Sequence, residues 1–292
     1  MLELGIGAEL VRGAGWVIRL LFLAALGYAL WRGKNWKQRM AYALLVIGVF
    51  LGPLLPSAYQ AWQYKQRYAK AKAIFDERCK NAGEIIYRTV DDVEGVLLIN
   101  PPPMPRVLQW GDPNWPDAGL PRQNGGNDLI VNLLEYFKRD DHGYSFSDEF
   151  KPDHNPGYRF IDAMDQNGKT WRYSLGKVGN RETSVPVSDR MKKTDHIDKP
   201  ALYAVTYKNL INPADRELWV AGTTLIVTEI QSGEILAQST WYSMEPGLGS
   251  RSGHRTPWLF AVSCPELVSL NAAMPTRFFI EKVLRPQKGE FK

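Results

Sequence analysis

The chain has 292 residues, 45% of them hydrophobic and 12% aromatic, and a formal charge of +5; this is ample for one large or two modest packed domains and excludes a disordered chain. The charge is uneven. Residues 1–80 hold twelve Lys/Arg against Glu3, Glu9, Asp76 and Glu77, a local +8 that leaves −3 for the remainder, so the globular part lacks the cationic stripe that phosphate binding needs and nucleic acid is not an expected partner.

In chain order, the first element is "AGWVIRLLFLAALGYALW", residues 14–31, nearly all apolar with Arg19 close enough to one end to snorkel. The second runs from Met40 to Trp62, 23 residues without a charge, long enough as a helix to span about 30 Å of hydrocarbon. Tyr42, Tyr59 and Trp62 lie near its ends, where amphipathic rings favour the membrane interface. The linker "RGKNWKQR" leaves room for a tight turn, so residues 1–62 are expected to form a transmembrane helical hairpin. The first eleven residues carry no Lys or Arg, which points to a permanent anchor rather than a cleaved signal peptide.

Sidedness is less direct, because Arg32, Lys34, Lys37 and Arg39 flank one end of the second span and Lys65, Arg67, Lys70 and Lys72 flank the other. A short acidic N-terminal tail and the ease with which large trailing domains cross favour a bacterial inner-membrane anchor with the C-terminal domain in the periplasm. Cys79 and Cys264, one at each end of the globular part, would suit a single clasp in an oxidising space; two unpaired core thiols are the alternative.

Tyr64, Tyr68, Ala71, Phe75, Cys79 and Ala82 recur at helical spacing, predicting an amphipathic juxtamembrane helix over 63–82 ended by Gly83. Residues 83–292 are expected to form one α+β domain on a mainly antiparallel sheet, with no strand–helix–strand alternation and with a C-terminal helix begun by Pro275. "EIIYRTV" and "EGVLLIN" read as strands, and "DLIVNLLEYF" as either strand or helix. "YRFIDAMDQNGKTWRYSL" reads as a hairpin turning at Asn167-Gly168, and "ALYAVTY", "ELWVAGTTLIVTEI" and "EILAQSTWYSM" as a meander turning last at Ser232-Gly233.

Chemistry is sparse. His142, His154, His196 and His254 are scattered, neither HExxH nor CxxC occurs, and "DAMDQNGK" lacks the first and last carboxylates of a calcium loop, so neither a metal nor a cofactor is expected. The acidic pairs Asp91-Asp92, Asp140-Asp141 and Asp148-Glu149 read as solvated turns. The loop "EPGLGSRSGHRTP" is neither a nucleophile elbow nor a phosphate loop; it reads first as a flexible connection between strands, and its functional reading is a contact surface for an acidic partner. Candidate partner-binding residues are therefore Arg251, His254, Arg255 and Trp258, with Trp110 and Trp115 from the Pro-rich loop 101–127.

The combination "RCKNAGEIIYRTVDDVEGVLL", "LWVAGTTLIV…SGEILAQ" and "PWLFAVSCPEL" resembles a group of uncharacterised proteobacterial proteins with a membrane-anchored N-terminus, from about residue 60 onward. Some such anchored proteins accompany secreted antibacterial effectors as immunity proteins, and the resemblance implies that setting without transferring any site residue. The expectation is a non-enzymatic, membrane-anchored binding module whose partners are the lipid bilayer and a protein, most concretely a toxin acting in the periplasm. The alternative is an envelope enzyme, or a lipid or glycan handling factor, with the Pro/Trp-rich loops as its cleft.

Overall fold

A computed structural model describes residues 6–106, 108–134, 138–140, 143–145, 157–165, 167–176, 191–267 and 274–287. The chain divides into two units, Met1–Arg67 and Tyr68–Lys292.

The first unit is helical. Helix α1 (Ile6–Arg32) and helix α2 (Trp36–Leu51) are separated by three residues, and the Phe22 and Phe50 rings meet edge-on at 5.5 Å. Arg39 Nε donates to the Gly33 carbonyl at 2.9 Å, closing the corner between them. A 3-10 turn at Gly52–Leu54 then leads into helix α3 (Leu55–Cys79). This break falls inside the predicted second span, where Pro53 and Pro56 withdraw two backbone donors from the helix. The region Trp36–Cys79 is the one helical stretch among the described residues long and apolar enough to cross a membrane, by length and composition. Leu44, Leu45, Val49, Leu54 and Leu55 are all exposed on it.

The second unit is α+β. Strands β1 (Gly83–Ile86), β2 (Val90–Val93) and β3 (Gly95–Ile99) are followed by helix α4 (Gly126–Leu134). Next come β4 (Lys138–Asp140), β5 (Gly143–Ser145), β6 (Phe160–Met164), β7 (Thr170–Leu175), β8 (Met191–Thr194) and β9 (Tyr203–Leu210). Helix α5 (Pro213–Glu217), β10 (Val220–Glu229), β11 (Ile235–Met244), β12 (Val262–Cys264), helix α6 (Pro275–Val283) and β13 (Leu284–Pro286) complete the described fold.

Nine strands form one sheet in the order β1-β11-β10-β9-β3-β6-β7-β8, with β12 also pairing β11. Most pairs are antiparallel, yet β3 runs parallel to both β6 and β9. This corrects the expectation that strand–helix–strand alternation is absent. The long loop after β3 ends in α4, and together they supply the crossover length a parallel pair requires. The ambiguous run "DLIVNLL" belongs to α4, which buries Leu129, Ile130, Leu133 and Leu134.

Strand alternation sorts the sheet into two faces. Val96 and Leu98, Ile161, Val205 and Tyr207, Leu225 and Val227, and Trp241 share one core with Leu129 and Leu133 of α4 and with Phe279, Ile280 and Val283 of α6. On the other face Thr206, Thr224, Ile226 and Thr240 are only half-buried, and the Thr224 and Thr240 hydroxyls bond each other at 2.9 Å. One covered and one wetter face is the ordinary economy of a largely antiparallel sheet.

The hairpin β6–β7 turns where its sequence predicts. Gly168 has φ +79, and Asp165 accepts from the Asn167 and Lys169 N–H groups at 2.9 Å each and from Trp171 Nε1 at 3.0 Å. The Trp171 bond, ahead of the backbone bonds, holds the Asp165 carboxyl below its ordinary range. Behind the hairpin, Arg172 makes a two-point pair with buried Asp162 at 2.7 and 2.8 Å and donates to the Lys199 carbonyl at 2.7 Å.

Within the second unit, the end of α3 meets the sheet. Ala71 and Phe75 are buried against Trp219, Val220, Met244 and Trp258, Arg78 pairs with Asp215 of α5 at 2.9 Å, and Cys79 is disulfide-bonded to Cys264 of β12 with Cα atoms 5.7 Å apart. The two cysteines are 185 positions apart, so the bridge removes a large share of the unfolded chain's freedom. Replacing both by Ser is expected to lower stability by about 2–5 kcal/mol, read as a shift in the urea midpoint of tryptophan fluorescence for the full chain in detergent.

Candidate functional site

The loop surface singled out from sequence is organised around two buried charges. Glu245, at the end of β11, is fully buried; its carboxylate accepts from Gly247 N–H at 2.8 Å and Gly249 N–H at 2.7 Å and pairs with Arg255. One carboxylate thus folds the segment 245–255 over itself, and these charge-assisted bonds offset its burial. Gly249 is required at its position: φ is +84, and a Cβ there would stand 2.2 Å from the Trp219 ring.

Arg216 is the second charge. It is 2% exposed and donates to the carbonyls of Trp115 at 2.8 Å and Pro116 at 3.0 Å, drawing the Pro-rich loop onto α5. Burial lowers its pKa against the pull of Asp117, Asp112 and Asp215. Its guanidinium lies 6.0 Å from the Trp258 ring centre, Trp258 lies 5.3 Å from Trp219, and Trp258 Nε1 donates to the Asp112 carbonyl at 2.7 Å. Arg251 reaches across to the Gly111 carbonyl at 2.9 Å. The loops 109–119 and 245–261 are therefore one packed assembly.

The six candidate residues fall into different roles. Trp115 and Trp258 are core residues, and Trp110 is partly buried against them, so these three shape the loop from beneath. Arg255 is half-buried on Glu245, while Arg251 and His254 are exposed. The exposed apolar side chains of this segment are instead Leu259, Phe260 and Val262, 38%, 51% and 45% exposed. Arg255 lies over the Phe260 ring at 4.8 Å, and Arg122 holds the Leu259 carbonyl at 3.2 Å. Trp258, named from the sequence, is buried, and the exposed aromatic ring is Phe260, two residues on. The 3-10 turn Pro257–Phe260 turns Trp258 in and Phe260 out, and its start at Pro257 after the extended Thr256 was the available signal.

A small cavity of about 10 Å³ is lined by Pro102, Pro103, Pro105, Trp115 and Leu120 together with the polar Asp117, Gln123, Tyr207, Asn209 and Thr223, room for about one water. Asp117 accepts from Asn209 Nδ2 at 2.8 Å, and the Thr223 hydroxyl donates to Asn209 Oδ1 at 3.1 Å. Burial raises the Asp117 carboxyl above its ordinary value, outweighing the bond from Asn209 and the charge of Arg216. A second, open cavity of about 200 Å³ is lined by Asp91, Asp92, Glu94, Phe160, Lys199 and Tyr203. There Glu94 is engaged by Lys199 at 3.1 Å and Asp91 by Arg285 at 2.9 Å.

Among the described residues no group of three His, Cys, Asp or Glu is disposed to hold a metal ion. His142, His154, Asp140-Asp141 and Asp148-Glu149 fall outside the residues whose side chains are described. His196 is exposed beside Asp198 at 2.8 Å, in a local surface pair. Comparison of the chain with family models, with curated proteins and with solved structures finds no match.

Gly249→Ala is expected to destabilise the second unit by about 2–4 kcal/mol, from left-handed strain plus the clash with Trp219, seen as a lower thermal midpoint. Asp117 sets a pH dependence. Because its folded pKa is raised, its contribution to stability is complete below the unfolded value of about 3.9 and is lost as pH rises through the folded pKa. Asp117→Asn removes that loss, so the fall in thermal midpoint between about pH 4 and about pH 7 should be smaller in the variant.

Proposed function

We propose that this protein is a membrane-tethered binding module: the apolar helices of residues 1–62 form a hairpin in a bacterial inner membrane, and the α+β unit works in the periplasm, where its loop surface grips another protein. The observation that carries the reading is the occurrence in one chain of a helical region, Trp36–Cys79, holding an exposed apolar stretch long enough to cross a membrane, and a disulfide in the α+β unit, Cys79–Cys264. Bilayer insertion gives the first a solvent, and an oxidising compartment is where the second persists. The helices fit the lipid bilayer as one partner and the loops fit a protein as the other.

The loop surface supports a protein partner over a small substrate. Leu259, Phe260 and Val262 form an exposed apolar strip touched by Arg122 and Arg255, a combination suited to a partner that offers an apolar knob with an acidic rim. The space under the Pro-rich loop is about 10 Å³, far short of a sugar or a lipid headgroup, so the cleft reading has less behind it. Tethering at the inner membrane concentrates the module where a wall or membrane attack takes place, which makes a periplasm-acting toxin the most concrete partner and immunity the corresponding role.

Two measurements test this. A reporter active only in the periplasm, fused after Lys292, should give signal, whereas a signal from a cytoplasm-only reporter sinks the topology. In pull-downs from envelope extracts challenged with candidate toxins, native chain should retain one at near-stoichiometric yield. Phe260→Asp, placed on an exposed ring, should cut that retention at least tenfold with an unchanged thermal midpoint. Retention of no partner, or equal retention by the variant, rejects the loop surface.

A further inference from the structure

We propose that the corner between α1 and α2 binds the headgroups of anionic phospholipids. The inference rests on the membrane reading given above and names the class of lipid that the hairpin selects. Arg32, Lys34, Lys37 and Arg39 all belong to this corner, and all four are exposed.

The corner is a closed turn. Arg39 Nε donates to the Gly33 carbonyl at 2.9 Å, Arg39 N–H donates to the Asn35 carbonyl at 3.0 Å, and a Cβ on Gly33 would stand 2.8 Å from the Arg39 backbone nitrogen. Arg32 donates to the Tyr28 hydroxyl at 2.8 Å. These bonds hold the two arginines in place while leaving donors on each guanidinium. Among the described residues the Lys34 and Lys37 ammonium groups meet no carboxylate.

Nothing in the surrounding sequence answers this charge. No Asp or Glu occurs between Glu9 and Asp76. Along α1, Glu9 and Arg32 are separated by roughly 35 Å of helix, and Asp76 is held by Lys72 at 2.7 Å. The start of α2 adds to the positive field, since Asn35 makes no side-chain cap bond and the first turn holds no acid. A cation cluster without internal counter-charge draws one from outside, and the guanidinium fork matches a phosphate.

The aromatic residues select a lipid phosphate over a dissolved one. Trp31 and Trp36 are 79% and 74% exposed and alternate with the cations. From the corner the exposed Leu20, Leu21 and Leu23 of α1 and Leu44 and Leu45 of α2 lead away into the apolar stretches. Exposed Trp rings between an apolar helix and a charged turn settle at headgroup depth, which puts the four cations level with the phosphates. In the proposed topology the corner faces the cytoplasm, and the negative surface of that leaflet attracts juxtamembrane Lys and Arg.

The test uses the full chain in neutral detergent micelles doped with equal amounts of phosphatidylglycerol and phosphatidylcholine, with bound lipid counted by native mass spectrometry. Native chain should retain phosphatidylglycerol over phosphatidylcholine by at least about fivefold, less at high salt. Lys34→Glu combined with Lys37→Glu should bring the ratio close to parity. Lys65→Glu combined with Lys70→Glu makes the same change in charge elsewhere and should leave most of the preference. Equal retention of the two lipids by native chain, an unmoved preference in the first variant, or equal loss in both variants overturns the corner site. Displacement of the bound lipid by millimolar inorganic phosphate assigns the corner to free anions and overturns it as well. A chain that stays dispersed without detergent and holds neither lipid sinks the membrane reading itself, whereas one that needs detergent and holds both lipids alike sinks this inference alone. Unchanged helical circular dichroism establishes that the variants fold. Should the first fail to, Lys34→Gln combined with Lys37→Gln gives the same readout with half the change in charge, and an unmoved preference there rejects the site.

Discussion

The junction of α3 with the β10–β11 end of the sheet is the constraint on which the rest of the α+β unit depends. Burial of Ala71 and Phe75 among Trp219, Met244 and Trp258 contributes about 1.5–3 kcal/mol for each large apolar side chain, and the Cys79–Cys264 bond holds the helix end to β12. Dispersion and hydrophobic burial alone would let a helix slide on this surface. The covalent link and the Arg78–Asp215 pair fix its register, and with it the seat on which the loops 109–119 and 245–261 are built.

Those loops are held from below by charges withdrawn from water. Arg216 and Glu245 would each be costly to bury alone, yet Arg216 is met by two carbonyls and Glu245 by two N–H groups and a guanidinium. Such sites give irregular chain segments a single conformation, because any alternative leaves a buried ion unsatisfied. Above them Phe260 is exposed, with Arg255 over its ring.

Much of the architecture was legible in residue order. The two apolar runs, the turn at Asn167-Gly168, the strands of the meander and the helix begun by Pro275 all follow from local periodicity, proline placement and positive-φ preference, which act over a few residues. Sequence alone could not determine that β3 lies parallel between β6 and β9, because pairing partners are chosen by packing over a distance in sequence that periodicity does not sense. Nor could it separate Trp258 from Phe260: both are aromatic, both lie in the same loop, and only the 3-10 turn seated on Asp112 and Arg216 sends one inward and the other to solvent. The pairing of Cys79 with Cys264 was likewise one of two open readings until α3 was brought against β12. Composition and spacing determined which segments are helix, strand or loop, and the tertiary structure decided which of their side chains face outward, since burial is a property of the assembled whole.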